Sequence, residues 1–183
     1  MTQVYQRYVD PRSSKLVWYD IPGSGTQNHP SWEYFSKESL FLFDTILVVI
    51  EATIMETDID LIKRANSQSP PIPSHVVRTK SDTHILSNLL DAGHFDASDL
   101  RAAEWAKNVV STNARVAADI QIRRAGLPAD TRFYQVNKHT LLALVKEDEH
   151  RDRRLAAYKR FQIDEENLIK DLLDDVRRRA GQL

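Results

Sequence analysis

The sequence predicts an α/β protein built on a mostly parallel sheet, and three observations carry that prediction. Short apolar runs bounded by turn residues recur at Leu16–Tyr19, Thr45–Glu51, His75–Arg78 and Arg132–Val136. Between them lie segments whose apolar residues repeat at three and four positions, the period of a helix. Polar clusters follow three of the runs, at the carboxyl ends where open α/β sheets form their ligand crevices. Strands alternating with helices give a parallel sheet with helical crossovers.

Composition narrows the class. The chain has 183 residues, 42% hydrophobic and 28% charged, ordinary for a soluble globular protein. A formal net charge of −1 gives no general attraction to nucleic acid. With no cysteine there is neither a disulfide framework nor a cysteine-based zinc site, which agrees with a cytoplasmic location. Met1-Thr2-Gln3 carries no signal-peptide pattern, and the apolar block Leu40–Ile50, interrupted by Asp44, is too short to span a bilayer.

In chain order, residues 2–9 alternate loosely between β-branched or aromatic and polar residues, an edge-strand pattern. After a turn at 11–14, residues 15–20 form a second strand, read as buried, and the pair makes a hairpin entering a Pro-Gly turn. Asn28-His29-Pro30-Ser31 opens a helix to about residue 41, with Trp32, Phe35 and Ser39 on one side. Thr45–Glu51 is the most apolar run and is expected to be the central strand. Thr57-Asp58-Ile59-Asp60 starts a helix to about Ala65, capped by Thr57. Residues 67–73 form a proline-rich loop, 75–78 a strand, and 83–97 read as polar and irregular. From Ser98, Leu100, Ala103, Ala106, Val110, Ala114, Ala117 and Ile120 mark a long amphipathic helix that ends at Gly126. The strand 132–136 and a helix 140–147 follow. The charged segment 146–154 then leads into a helical tail with Ile169, Leu172, Val176 and Ala180 on one stripe.

The polar clusters suggest a chemistry. In Asp20-Ile21-Pro22-Gly23, an aspartate two residues ahead of the glycine's neighbour suits γ-phosphate sensing. The carboxylate would hold Mg²⁺, and the glycine, lacking Cβ, would let its N–H approach phosphate. In Thr79-Lys80-Ser81-Asp82, the Asp82 carboxylate offers two acceptors to the adjacent N1–H and N2–H₂ donors of guanine, which adenine does not present. The Lys80 stem would lie over the ring. Asn137 and Lys138 end the last strand.

Four blocks now carry a resemblance: WYDIPGSGT, the helix start TDIDLIKRA after ILVVIEAT, VVRTKSD, and FYQVNK. Together they resemble the immunity-related (interferon-inducible) GTPases over residues 1 to about 145, and the form with Thr79 in place of the usual asparagine is characteristic of that family. The resemblance implies a three-layer P-loop NTPase-type fold, with residues 1–147 as a partial G domain and 148–183 as a helical extension. It implies Asp20 and Gly23 as the Mg²⁺- and γ-phosphate-sensing pair, and Ser24–Thr26 as part of switch II. Thr79, Lys80 and Asp82 become the guanine site, and Asn137 and Lys138 the last nucleotide loop. Thr2 falls near the switch I threonine. The implied ligands are GTP or GDP with Mg²⁺. The implied partners are further copies or full-length GTPase relatives at intracellular membranes, and no nucleic acid.

One departure matters. None of the five glycines (Gly23, Gly25, Gly93, Gly126, Gly181) precedes a lysine, so the sequence holds no phosphate-cradling G-x-x-x-x-G-K-[ST] loop. The expectation is a G domain truncated at its amino end, with no catalytic residue assigned and no appreciable GTP hydrolysis by this chain alone. Ser24 also stands where small GTPases carry a water-positioning glutamine. Two other classes stay open: a non-catalytic module that docks onto full-length GTPases as decoy or modulator, and an ATPase with a similar strand-end aspartate.

The remaining features have plain readings. His84, Asp91, His94 and Asp96 share a polar loop and lack the spacing of metal ligands. Trp32, Phe35, Phe41 and Phe43 read as core, and Arg177-Arg178-Arg179 as cations suited to a helix carboxyl end.

Overall fold

A computed structural model describes residues 5–10, 13–23, 31–94, 99–145, 150–179 and 181. Contacts divide the chain into two units, Met1–Leu42 and Phe43–Leu183.

In the first unit, β1 (Gln6–Asp10) and β2 (Ser13–Asp20) form an antiparallel hairpin with Tyr8 opposite Trp18 and Val9 opposite Val17. The hairpin agrees with the sequence reading, but the buried, parallel environment expected for β2 does not. Among the described residues β2 pairs only with β1, and Trp18 and Tyr19 are exposed. Aromatic and β-branched residues favour a strand without naming its partner. Helix α1 (Ser31–Lys37) is followed by a short 3-10 turn, Leu40–Leu42. Phe35 and Leu40 are buried, whereas Phe41, expected in the core, is exposed. The Tyr34 hydroxyl donates to the Pro22 carbonyl at 2.7 Å, fixing the end of the Asp20–Gly23 turn against α1.

The second unit is a mixed α/β body around a three-stranded parallel sheet ordered β3-β4-β5. Its strands are β3 (Ile46–Ile50), β4 (Ser74–Arg78) and β5 (Arg132–Gln135). Helix α2 (Glu56–Asn66) connects β3 to β4, and α3 (Ser81–Asp91) and α4 (Leu100–Arg124) connect β4 to β5. After β5 come α5 (Lys138–Val145), α6 (Arg151–Tyr158), a 3-10 turn (Lys159–Phe161) and α7 (Glu165–Arg179). No helix among the described residues is long and apolar enough to cross a membrane.

The period-2 alternation of strand side chains assigns the helices to faces. One face carries Leu47, Val77, Tyr134 and, just past β5, Val136, and Leu168 of α7 and Leu141 of α5 pack on it. The opposite face carries Gln135, whose Nε2 donates to the Ser111 carbonyl of α4 at 3.1 Å. A further apolar cluster joins Ile85 and Leu89 of α3 to Ala102, Ala106 and Val110 of α4, with Phe161 closing it.

Four expectations are corrected. The central strand is β4, buried from Ser74 to Val77, while the more apolar β3 lies at the edge with Val49 63% exposed. Strand order follows from the crossovers, which hydropathy does not encode. The segment after Asp82 is helical, because Ile85 and Leu89 stand four apart and both bury against α4. Helix α2 begins at Glu56, where the Asp58 carboxylate accepts from the Met55 N–H at 2.8 Å, so Thr57 is not the cap. The inner stripe of α7 is Glu165, Leu168, Leu172 and Asp175, with a carboxylate at each end. An apolar-only pattern search passes over such a stripe. The termination of α4 agrees with the sequence: Gly126 takes φ +62°, and the Leu127 N–H returns to the Ile122 carbonyl at 3.1 Å.

Candidate functional site

At the carboxyl end of β4 the chain turns sharply. The Thr79 N–H donates to the Ile50 carbonyl at 2.9 Å, and its hydroxyl reaches the same oxygen at 3.3 Å. Lys80 then takes a left-handed conformation, φ +60°, before α3 starts at Ser81. This places Asp82 in the first turn of α3, where the helix dipole favours a carboxylate. Lys80 Nζ lies 2.8 Å from Glu51 Oε1 at the end of β3, and this lysine holds the Glu51 carboxyl below its usual range. Both side chains are more than half exposed, so the pair contributes little to stability.

The β4 and β5 ends are stitched together behind that turn. The Val136 N–H donates to the Arg78 carbonyl at 2.9 Å, and the Ser81 N–H donates to the Val136 carbonyl at 3.2 Å. In front of the stitch lies an open cavity of about 590 Å³. Thr79, Lys80, Asp82 and Lys138 line it, together with an apolar wall of Val136, Leu141 and Leu142. Four of the residues singled out in the sequence therefore face one cavity at the carboxyl edge of a parallel sheet.

Asn137 behaves differently. It is 1% exposed and sits behind the cavity wall. Its Oδ1 accepts from the Thr140 N–H at 2.8 Å, capping α5. Its Nδ2 contacts Thr140 Oγ1 at 2.9 Å, the Phe161 carbonyl at 3.2 Å and Glu165 Oε1 at 2.9 Å. Glu165, also fully buried, takes the Asn137 N–H on Oε1 at 2.9 Å and the Ile163 N–H on Oε2 at 2.8 Å. Burial pushes the Glu165 carboxyl above its usual range, against the pull of these backbone donors. The neighbouring Asp164 takes the Gln135 N–H at 2.9 Å and returns its own N–H to the Gln135 carbonyl at 3.2 Å. At the end of β5 the Gln135 and Asn137 N–H groups are thus satisfied by two consecutive carboxylates. Sequence reading missed both residues. Asp164-Glu165-Glu166 has the composition of any solvated helix start, and nothing local distinguishes a buried acid there.

A second buried contact lies at the other end of α7. His75 Nε2 is 2.6 Å from Asp175 Oδ2, with His75 2% exposed, and Asp175 Oδ1 accepts from Arg178 at 2.9 Å. Burial outweighs the carboxylate and lowers the His75 pKa from its ordinary value. The Tyr134 hydroxyl donates to Asp171 at 2.7 Å on the same helix face.

Asp20 and Gly23 belong to the first unit, whereas Thr79, Lys80, Asp82, Asn137 and Lys138 belong to the second. Asp20 is exposed at the end of β2. A Cβ added to Gly23 would meet nothing within 4 Å, so packing inside the protein does not demand glycine there. Thr2, Ser24–Thr26 and Asp96 lie outside the described residues. Among the described residues, no group of three or more His, Asp or Glu is placed to hold a metal ion.

Taken together, the second unit is a mixed α/β domain with a parallel sheet, compatible with an α/β nucleotide-binding fold. No protein-family model matches the chain. It is similar to Interferon-inducible GTPase 1 of Mus musculus, with 28% identity over 78 residues. That match covers 43% of this chain and 18% of the mouse protein, so the chain spans a small part of this relative's length. The similarity suggests a relation to the immunity-related GTPases.

Proposed function

We propose that the chain binds guanine nucleotides of the GTP/GDP class through the cavity at the ends of β4 and β5. The observation that carries this reading is the shared cavity of Thr79, Lys80, Asp82 and Lys138. In it, Asp82 accepts from N1–H and N2–H₂ of the base, and the stems of Lys80 and Lys138 cover the two faces of the ring. Val136, Leu141 and Leu142 supply apolar contact. A base lacking the donor pair leaves Asp82 unmatched, which is the strong kind of discrimination. The partial likeness to a GTPase supports the same ligand class.

Asp20 is the residue we assign to Mg²⁺. Nucleotide-bound Mg²⁺ needs only one or two protein carboxylates, with phosphate and water completing the shell, so a single exposed aspartate is an adequate donor. The sequence contains no Gly-Lys-Ser/Thr loop, so base contacts carry most of the affinity, and hydrolysis is not assigned to this chain. The relatives proposed as partners are GTPases of the immunity-related type or second copies of the chain, at the cytoplasmic face of intracellular membranes.

The deciding experiment is calorimetric titration of the full chain with GDP and with ADP, each with Mg²⁺. GDP should give saturable heat and ADP none. A flat GDP trace at millimolar ligand refutes the proposal.

Among the described residues no strand pairs with the outer edge of β3, and the Val49 side chain on its face is 63% exposed, which favours a second reading. The chain would then be a non-catalytic module that docks onto full-length GTPases, and it would bind such a relative while giving no heat with GDP.

A further inference from the structure

We propose that Glu165 is a positioning residue that makes occupancy of the base cavity and docking of α7 mutually dependent. The inference rests on the guanine-nucleotide reading and adds a regulation of that same site.

A covalent and hydrogen-bonded path runs from the cavity to the tail helix. Lys138 and Val136 line the cavity, and Asn137 between them faces away from it and is buried. Glu165 Oε1 holds both the backbone N–H and the Nδ2 of Asn137 at 2.9 Å. Asp164 holds the preceding Gln135 through a carboxylate and a backbone hydrogen bond. Arg115 of α4 in turn pairs with Asp164. Glu165 is also the first residue of α7, whose Leu168 and Leu172 are buried and whose Asp171 and Asp175 reach Tyr134 and His75. A loop that closes on a base by moving Lys138 must therefore carry Asn137, and with it the amino end of α7. Leaving Glu165 behind would strand a buried carboxylate and two buried donors, which is costly. Because coupling of binding equilibria is reciprocal, a docked α7 holds the loop ready for the base, and a bound base secures α7.

The test is hydrogen exchange of the full chain, read by mass spectrometry with and without saturating GDP, alongside GDP affinity measured calorimetrically. In the wild-type protein, GDP should slow exchange across 165–179 by about five-fold or more, and ADP should not. The Glu165→Gln variant should keep its helical circular dichroism, bind GDP about five-fold more weakly and lose the nucleotide-dependent protection of α7; Glu165→Asp should restore part of both. If GDP binds and α7 exchange is unchanged, or Glu165→Gln binds GDP as tightly as wild type, this inference falls and the guanine reading stands. If GDP gives no heat with the wild-type chain, both fall. Should Glu165→Gln not fold, the wild-type exchange comparison decides alone.

Discussion

Glu165 accepts, on one carboxylate oxygen, both the main-chain and the side-chain nitrogen of Asn137, a residue 28 positions earlier in the chain. The contact fixes the loop after β5 from the inside, on the side away from the open cavity. It also explains why an asparagine stands there: a buried carboxylate needs donors, and Asn137 supplies two while capping α5 with its carbonyl oxygen.

Asn137→Ala removes the cap and one of those donors together. The expected cost is about 2–3 kcal/mol, since buried polar partners are left unsatisfied. Urea unfolding followed by circular dichroism measures it, and a change under about 0.5 kcal/mol would mean that the site relaxes freely.

Asp82→Asn tests base selection. An amide presents one donor and one acceptor where the carboxylate presents two acceptors, so preference should move from guanine toward xanthine nucleotides. Competition of GDP and XDP for a fluorescent analogue reads this directly. An unchanged preference would remove Asp82 from the base edge.

The buried His75–Asp175 contact predicts a pH dependence. The folded-state pKa of His75 lies below the ordinary value of about 6.5, so the native state binds fewer protons than the unfolded chain. This contribution is present above that pH and is lost as the pH falls through it. His84, lowered chiefly by burial, adds to the same trend. Urea midpoints should therefore fall between about pH 7.5 and pH 5.5, and His75→Gln should lessen the fall. An equal fall in the variant would assign it elsewhere.

Ile85 is fully buried between α3 and α4. Ile85→Ala should cost about 2–4 kcal/mol through lost burial and a residual cavity. The measured free energy also tests whether the segment after Asp82 is a packed helix, because an irregular loop would lose far less.

Gly126 has φ +62°, and a Cβ there would meet nothing within 4 Å. Gly126→Ala should then cost about 1 kcal/mol from backbone strain alone, read as a shift in thermal midpoint.

Much of the frame was legible in the residues. Apolar runs located β2 to β5, a loose alternation located β1, Gly126 located the end of α4, and the spacing within Thr79–Asp82 located residues that line the cavity. The helix at 81–91 was missed because polar residues outnumber its two anchoring apolar positions, Ile85 and Leu89. The centre of the sheet was misjudged because β4 contains a histidine and a serine, both buried, whereas β3 is wholly apolar yet lies at the edge.

Periodicity and turn chemistry, which act over a few neighbouring residues, were enough to mark the strands, the helices other than α3 and the polar residues that follow the strands. The edge position of β3, the pairing of β2 outside the parallel sheet and the burial of the acids that open α7 became visible in the folded chain alone. Those outcomes depend on partners tens of residues away, and a carboxylate at a helix start looks the same in sequence whether water or an asparagine is waiting for it.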